Sequence, residues 1–202
     1  APELDSGLID YLKERGVKVQ AGHCLSINGR ETEAGTTSLI KNNMFPSKQP
    51  STLLKVDGAT HTFNAMSGVT HRGTSAALSA LIHDEVYAEI IGDGVHVSDD
   101  ALKLFFKAKP EEKVILISDA LPITYSDMRE TVFADSKIYY DGDKATSADG
   151  TIAGSTKLLP EIIKILGKKG MFKPQYIENV YHYHGLDPIG EIEWDEDFNP
   201  RF

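Results

Sequence analysis

The feature that most constrains the fold is a regular alternation of strand-like and helix-like segments between residues 17 and 120. Strand patterns occur at residues 17–23, 58–64, 86–96 and 113–120, and helical patterns at residues 74–84 and 98–109. The segment "KVILISDA" at 113–120 is an almost continuous apolar run, which is typical of a strand buried on both faces of a parallel sheet. The alternation therefore predicts an α/β fold.

Two helices carry clear boundary signals. In the helix over 98–109, Ser98 is a suitable N-cap, Pro110 follows the end, and the apolar side contains Leu102, Phe105 and Phe106. A helix is also predicted at the start of the chain, where Asp5 or Ser6 can cap it, Gly16 can end it, and the apolar face contains Leu8, Ile9 and Leu12. Because this helix begins so near the first residue, we expect the chain to be cut from a longer one.

Composition excludes several classes of function. The net charge of −9 and the pI of about 5.2 argue against nucleic acid as a main partner. The single cysteine, Cys24, excludes an intrachain disulfide and favours a reducing compartment, so we expect a cytoplasmic protein. No apolar run has the length of a membrane span, and we expect no membrane partner.

The connections and the C-terminal part have their own patterns. The segment 27–51 is polar, contains glycine and proline, and is long for a connection, which is typical of functional or mobile loops. Strand-like runs broken by Asp-Gly pairs predict a small β hairpin within residues 131–155. An amphipathic helix with Pro160 in its first turn follows, and the acidic tail from residue 190 predicts a surface strand or a ragged end.

Four successive predicted strands end in polar residues able to do chemistry, namely His23, His61, His96 and Asp119. In a (β/α) barrel the C-terminal ends of the strands share one rim, and the catalytic groups lie there. Two histidines on neighbouring strands can hold one zinc-like ion. A carboxylate on a later strand can accept a proton from the water that such an ion activates.

Each of these residues also has a plainer explanation. A single strand-end histidine is more often a satisfied polar residue than a ligand, and Asp119 can simply cap the following helix. Cys24 faces away from its neighbour if the strand continues, which makes it a buried spectator rather than a soft ligand. In "YHYHG" at 181–185, His182 and His184 share a face if the segment is extended, which leaves either a second metal site or a solvated surface.

Five short motifs occur in the order found in N-acetylglucosamine-6-phosphate deacetylases of the amidohydrolase superfamily. They are "AGH" (21–23), "ATHTFNAM" (59–66), "IIGDGVHV" (90–97), "LISDA" (116–120) and "DGTIAGS" (149–155). The start, "APE" at 1–3, also resembles a motif that ends an earlier barrel strand in that family. The resemblance covers most of residues 1–170 and implies metal-dependent removal of the N-acetyl group from N-acetylglucosamine 6-phosphate, which yields glucosamine 6-phosphate and acetate.

The resemblance implies a role for each matching residue. His23 and His61 correspond to two ligands of one divalent metal ion, with Zn²⁺ expected first and Fe²⁺ or Co²⁺ left open, and Asp119 corresponds to the general base and acid. The residues similar to substrate contacts are Asn64, Ala65, Arg72, His96, Ile152, Ala153 and Gly154. Among them, Arg72 resembles the phosphate-binding arginine, and a guanidinium fork suits a phosphate dianion.

The resemblance also implies an organisation. Residues 1–125 correspond to the later strands of a (β/α)8 barrel, residues 126–156 to a β-hairpin with a substrate loop, and residues 157–202 to C-terminal helices and the acidic tail. Such a partial barrel has open edges at strands 17–23 and 113–120. Because unpaired strand edges invite association, we expect a homodimer or another homo-oligomer.

The chain lacks the residue that serves as the third metal ligand in the family. The family's glutamate ligand and the histidine that polarises the amide carbonyl have no counterpart here. Glu3 or a carboxylate in the connection 27–51 could stand in for that ligand. Two alternatives therefore stay open: an amidohydrolase with another amide substrate, in which Arg72 is an ordinary ion-pair residue, or a non-catalytic remnant that binds a sugar phosphate or a partner chain.

Overall fold

The computed structural model describes residues 6–23, 56–71 and 75–201. Glu3, Cys24, Arg72 and the connection 27–51 lie outside these described residues, so the predictions that rest on them are not addressed by the structure. No helix among the described residues is long and apolar enough to cross a membrane.

The elements alternate as predicted in the first part of the chain. They are α1 (Ser6–Glu14), β1 (Gln20–Ala21), β2 (Gly58–Ala59), α2 (Ala76–Ile82), β3 (Tyr87–Ile91), α3 (Asp99–Ala108), a 3₁₀ turn (Glu111–Lys113) and β4 (Val114–Ile117). The later elements are β5 (Glu130–Phe133), β6 (Ser136–Tyr140), β7 (Ala145–Ser147), α4 (Leu159–Lys168), α5 (Gln175–His184), β8 (Glu193–Trp194) and β9 (Pro200–Arg201).

The first four strands form one parallel sheet in the order β1-β2-β3-β4. Ala21, Ala59, Ala88 and Val114 are register partners across it. The predicted α/β fold with a parallel sheet is confirmed, and β1 and β4 are the edge strands of this sheet. Four strands in a row do not by themselves establish a barrel, so the partial (β/α)8 barrel stays a prediction.

One hydrophobic cluster holds the helices against the sheet. Alternate residues of β3 and β4 pack against helices α3 and α4, with Ile90, Leu116, Phe105, Ile162 and Leu166 among its most buried side chains. Gly92 lets α4 come close to the sheet, since a Cβ at this position would be 2.6 Å from Leu166 Cδ1. This contact places the C-terminal end of β3 directly against α4.

Some local predictions need correction. Leu8 is 41% exposed, so the buried side of α1 is narrower than its apolar pattern suggested. The segment 181–185 is the end of helix α5 rather than extended chain. Because residues two apart lie on different sides of a helix, His182 and His184 do not share a face. The alternative of a second metal site is therefore wrong, and the solvated-surface alternative is confirmed, since both side chains are exposed.

The C-terminal tail is ordered by long-range contacts. Strands β8 and β9 pair antiparallel, which confirms the surface-strand alternative over a ragged end. Trp194 and Phe198 both contact Phe172, with ring centroids 6.5 and 6.1 Å apart, respectively. Gly167 leaves the space that the Phe198 ring fills.

Lys109 joins the ends of two helices and supports a prediction about pH. Its Nζ donates to the carbonyls of Ala80 (2.9 Å) and His83 (2.6 Å), and burial lowers the pKa of Lys109 to about 8. Between pH 8 and 10.5 the unfolded chain keeps this proton while the folded chain releases it, so stability contributed by Lys109 rises with pH. Chemical denaturation gives the unfolding free energies of the wild type and of Lys109→Met. Between pH 8 and 10.5 the wild type should gain stability relative to the variant by on the order of 3 kcal/mol. A difference that stays constant over this window would contradict the prediction.

Candidate active site

The polar residues predicted from the strand ends lie on the C-terminal side of the parallel sheet. His23, His61 and Asp119 each follow the last residue of their strand, β1, β2 and β4 respectively, by two positions, and His96 follows β3 by five. Because parallel strands point the same way, their C-terminal ends meet at one edge of the sheet. We call these four residues the strand-end site.

The two histidines predicted as ligands are in contact. The rings of His23 and His61 have centroids 4.8 Å apart and an interplanar angle of 79°. Metal–nitrogen bonds of about 2.0–2.1 Å would put each centroid about 3.2 Å from a shared ion, and a tetrahedral angle would then separate the centroids by about 5 Å. The observed separation therefore fits two imidazoles on one ion.

The environment of His23 favours the neutral form that binds metal, and His61 offers a buried ring nitrogen. His61 is buried, and its Nδ1 has no hydrogen-bond partner in the described part of the chain. Burial and the neighbouring His61 lower the pKa of His23, against the opposing charge of Asp119. Among residues 6–23, 56–71 and 75–201, however, no group of three or more histidine, cysteine or acidic side chains could hold a metal ion.

The backbone at the site is strained. His23, His61 and Asp119 have positive φ angles of 52°, 36° and 51°. A residue with a Cβ rarely adopts this conformation, which costs of order 1–3 kcal/mol and persists where the surrounding structure holds it. Such strain clusters at functional sites, and here it falls on the three residues predicted to do the chemistry.

Three acceptor atoms, from His61 and Glu89, hold the turn that carries His61. The backbone N–H and the side-chain Nδ2 of Asn64 donate to the His61 carbonyl at 2.9 and 3.4 Å. On the other side, Glu89 of β3 accepts from the backbone N–H of Thr62 through its carbonyl (2.8 Å) and from that of His61 through Oε2 (3.4 Å). Sequence analysis did not single out Glu89. The available signal was its position in β3, where partly buried and buried residues alternate from Tyr87 to Ile90. Ala65, also in this turn, is exposed.

The loop predicted to contact substrate lies beside Asp119. The N–H of Ser155 donates to the Asp119 carbonyl at 2.8 Å, and the N–H of Leu121 donates to the Ser155 carbonyl at 2.8 Å. A Cβ on Gly154 would be 2.8 Å from the Asp119 carbonyl oxygen, so only glycine fits there. Ala153 and Ile152 connect this loop to the small β5–β7 sheet.

His96 is held by an aspartate. Asp93 Oδ1 accepts the backbone N–H groups of Val95 and His96, each at 2.9 Å, which stabilises the bend after β3. The other oxygen, Asp93 Oδ2, is 2.8 Å from His96 Nδ1. The charge of Asp119 raises the pKa of both His23 and His96, so its carboxylate lies within electrostatic range of both rings. Arg72 lies outside the described residues.

Comparison with known proteins finds deacetylases of two phosphorylated amino sugars. No protein-family model matches the chain. A curated N-acetylglucosamine-6-phosphate deacetylase from Bacillus subtilis is 32% identical over 157 residues, which cover 77% of this chain and 35% of that protein. An N-acetylgalactosamine-6-phosphate deacetylase from a Shewanella species is 34% identical over 98 residues, covering 48% of this chain and 25% of that protein.

Solved structures show the same fold. The crystal structure of N-acetylglucosamine-6-phosphate deacetylase from Thermotoga maritima matches with a TM-score of 0.77 and 24% identity, covering 99% of this chain and 55% of that one. A mutant Mycobacterium smegmatis enzyme in complex with N-acetyl-D-glucosamine-6-phosphate matches with a TM-score of 0.72 and 20% identity, covering 99% and 54%.

The chain spans only part of the length of the relatives that it matches. It spans about a third of the Bacillus subtilis protein and about half of the two solved structures. The matched region covers about three quarters of this chain. The predicted resemblance to this family is therefore confirmed, and the chain is a homologue of the N-acetylglucosamine-6-phosphate deacetylases.

Proposed function

We propose that this chain carries part of the active site for hydrolysis of the N-acetyl group of N-acetylglucosamine 6-phosphate to glucosamine 6-phosphate and acetate. The observation that carries the proposal is the contact between the His23 and His61 rings. Among the described residues His61 Nδ1 has no hydrogen-bond partner, and the charge of Asp119 acts on His23. Homologues named N-acetylglucosamine-6-phosphate deacetylase point to the same reaction, and others named N-acetylgalactosamine-6-phosphate deacetylase point to the same chemistry on the epimeric sugar. The four parallel strands then form part of a (β/α)8 barrel.

The residues present fit two of the ligands of a divalent metal ion. His23 and His61 would hold it, and Glu3 or a carboxylate in the connection 27–51 is the candidate third ligand. When bound, such an ion acts as a Lewis acid and lowers the pKa of water. Two imidazoles suit Zn²⁺ and also Fe²⁺ or Co²⁺, so zinc is the first expectation rather than the only one.

The protein's own groups handle the proton and the sugar. Asp119 accepts a proton from the attacking water and returns it to the leaving amine. The loop of Ile152, Ala153 and Gly154, tied to Asp119 through Ser155, contacts the sugar together with Asn64, Ala65 and His96. Arg72 binds the 6-phosphate through a bidentate, charge-assisted contact. The partners are therefore a phosphorylated amino sugar and a second copy of the chain. The candidate edge for that second copy is β1, because the continuation of β4 pairs with Ser155 and the Val114 carbonyl of β4 accepts from Asn179.

A second candidate is a remnant that binds a sugar phosphate without turnover. It is favoured by the absence of a third metal-ligating side chain from the described part of the site. A catalytic zinc site usually has three protein ligands, and a two-ligand site binds the ion weakly and activates water poorly.

Acetate release tests the proposed function. With Zn²⁺ present, we expect about 10–100-fold faster release from N-acetylglucosamine 6-phosphate than from N-acetylglucosamine, because the phosphate contact is charge-assisted. We also expect the isolated chain to fall below the usual enzyme range of about 1–1000 turnovers per second. Equal rates on the two sugars would contradict the assignment of the substrate, and no release from either sugar would favour the remnant.

A further inference from the structure

The carboxylate of Asp93 has no role in the proposed reaction, yet it is the most fully hydrogen-bonded acid near the strand-end site. Its side chain is 2% exposed. Oδ1 accepts two backbone N–H groups, from Val95 and His96, and Oδ2 accepts the Oγ–H of Ser155 at 2.9 Å as well as the His96 ring. Four donors fill the lone-pair positions of an ionised carboxylate and leave no place for a proton.

A buried carboxylate of this kind needs a positive partner. Burial raises the pKa of Asp93, but the hydrogen bonds from His96 and Val95 outweigh it and hold that pKa far below its usual range. An unpaired buried charge is costly, and the His96 ring is the group in contact that can carry a compensating charge. Burial lowers the pKa of His96, yet the hydrogen bond and charge of Asp93, with smaller effects of Ala153 and Asp119, raise it overall.

The geometry also determines which ring nitrogen of His96 donates to Asp93 and which is left for another partner. Because a carboxylate only accepts, His96 Nδ1 donates to Asp93, and the protonated ring carries its second N–H on Nε2. Nε2 is buried and has no hydrogen-bond partner in good geometry among the described residues, while the backbone of Ala153 lies close enough to raise the pKa of His96 through a weaker hydrogen bond. The surroundings of Nε2 include the backbone of Ala153 and the charge of Asp119, which are parts of the proposed substrate site.

Ser155 links this pair to the rest of the site. Its Oγ–H donates to Asp93 and its backbone N–H to the Asp119 carbonyl, so one residue joins the end of β3 to the end of β4. The same residue directly follows the loop of Ile152, Ala153 and Gly154. Displacing Asp93 would therefore disturb the ring of His96 and the loop together.

We propose that Asp93 is a positioning residue, which holds His96 as a cationic donor through Nε2 to an anionic or strongly polar group of the bound sugar phosphate. The proposal takes the substrate class from the proposed function, but the Asp93–His96 pair can be tested without turnover. The charged groups that face His96 in the described residues are Asp93 and Asp119.

Asp93→Asn keeps the shape of the side chain and removes its charge. We expect the pKa of His96, followed by proton NMR and assigned with His96→Gln, to fall relative to the wild type. The dissociation constant for N-acetylglucosamine 6-phosphate should rise by about 10–100-fold, the value of one charge-assisted hydrogen bond. Dissociation constants for N-acetylglucosamine and for free inorganic phosphate, measured in parallel, show whether the sugar or the phosphate group accepts the hydrogen bond from His96.

Asp141→Asn is the matched control. Asp141 is exposed and, like Asp93, accepts two backbone N–H groups through one oxygen, from Asp143 and Lys144. The Asp141→Asn substitution should leave both the His96 pKa and sugar-phosphate binding unchanged. Asp119→Asn removes the second negative charge that acts on His96. This substitution should lower the His96 pKa less than Asp93→Asn does.

Three results would overturn the proposal: a folded Asp93→Asn variant with an unchanged His96 pKa, one with unchanged sugar-phosphate affinity, or a wild-type His96 whose pKa is at or below its ordinary value of 6.5. The wild-type measurement stands even if the variant does not fold. A chain that lacks deacetylase activity but shows the Asp93-dependent His96 pKa and binding would refute the proposed reaction and support the pair.

Discussion

Replacing Asp119 by asparagine is expected to slow acetate release from N-acetylglucosamine 6-phosphate by about 10²–10⁴-fold, the usual contribution of a general base. Asparagine has nearly the same shape as aspartate and takes up no proton. The backbone contact to Ser155 uses the Asp119 carbonyl and is unaffected by the change. Single-turnover measurements with the chain in excess over the substrate give the rate even when turnover is slow.

The binding affinity for the sugar phosphate distinguishes loss of chemistry from loss of structure. We expect the dissociation constant to change by less than the rate does, because Asp119 is assigned to the proton rather than to the phosphate. Asp195→Asn is a suitable control, since it makes the same chemical change in the C-terminal tail, outside the strand-end site. A rate that Asp119→Asn leaves unchanged would remove Asp119 from the mechanism.

The parts of the fold that sequence could predict are those with local signals. In α3, Ser98 Oγ accepts the N–H of Ala101 at 3.3 Å, while Leu102 and Phe105 are fully buried, as the cap and the apolar spacing indicated. The apolar run of β4 likewise forms an edge of the parallel sheet. Caps and periodicity arise within one segment, so one sequence contains enough information to place them.

The strained positions of the site carry no such signal. Glycine is the usual mark of a positive φ, but at the site this conformation is adopted by His23, His61 and Asp119. The same holds for the turn between β5 and β6, where Ala134 and Asp135 have φ angles of 48° and 62°, although Asp-Gly pairs elsewhere predicted the turns. These conformations are held by contacts with distant segments, and a local pattern does not record them.

The role of Asp93 shows the same limit within the site. The motif "IIGDGVHV" brought His96 to attention, but the residue that contacts Asp93 from the other side is Ser155, 62 positions later. Only the folded chain shows that the two motifs at 90–97 and 149–155 meet. Sequence could therefore name candidate groups, while the contacts that tune them required coordinates.

Replacing His61 by glutamine is expected to weaken binding of a divalent ion by at least about 10–100-fold, since even changes in groups that only support a ligand produce losses of that size. His61 lies at the centre of the proposed ion site, because its buried Nδ1 has no hydrogen-bond partner in the part of the chain that the structure describes and its ring makes an edge contact with His23. Competition between the chain and a chromophoric chelator for Zn²⁺ or Co²⁺ measures the affinity without any need for activity.

His184→Gln controls for binding at surface histidines, because His184 is exposed at the end of α5 and lies outside the strand-end site. His23→Gln should reproduce the loss seen for His61→Gln, and the double variant should lose little more, because the two imidazoles act on one ion. Equal affinity in the wild type and in His61→Gln would show that the ion, if bound, is held elsewhere. A wild-type chain that binds no divalent ion would favour the remnant, because His23 and His61 would then lack the partner that their contact fits.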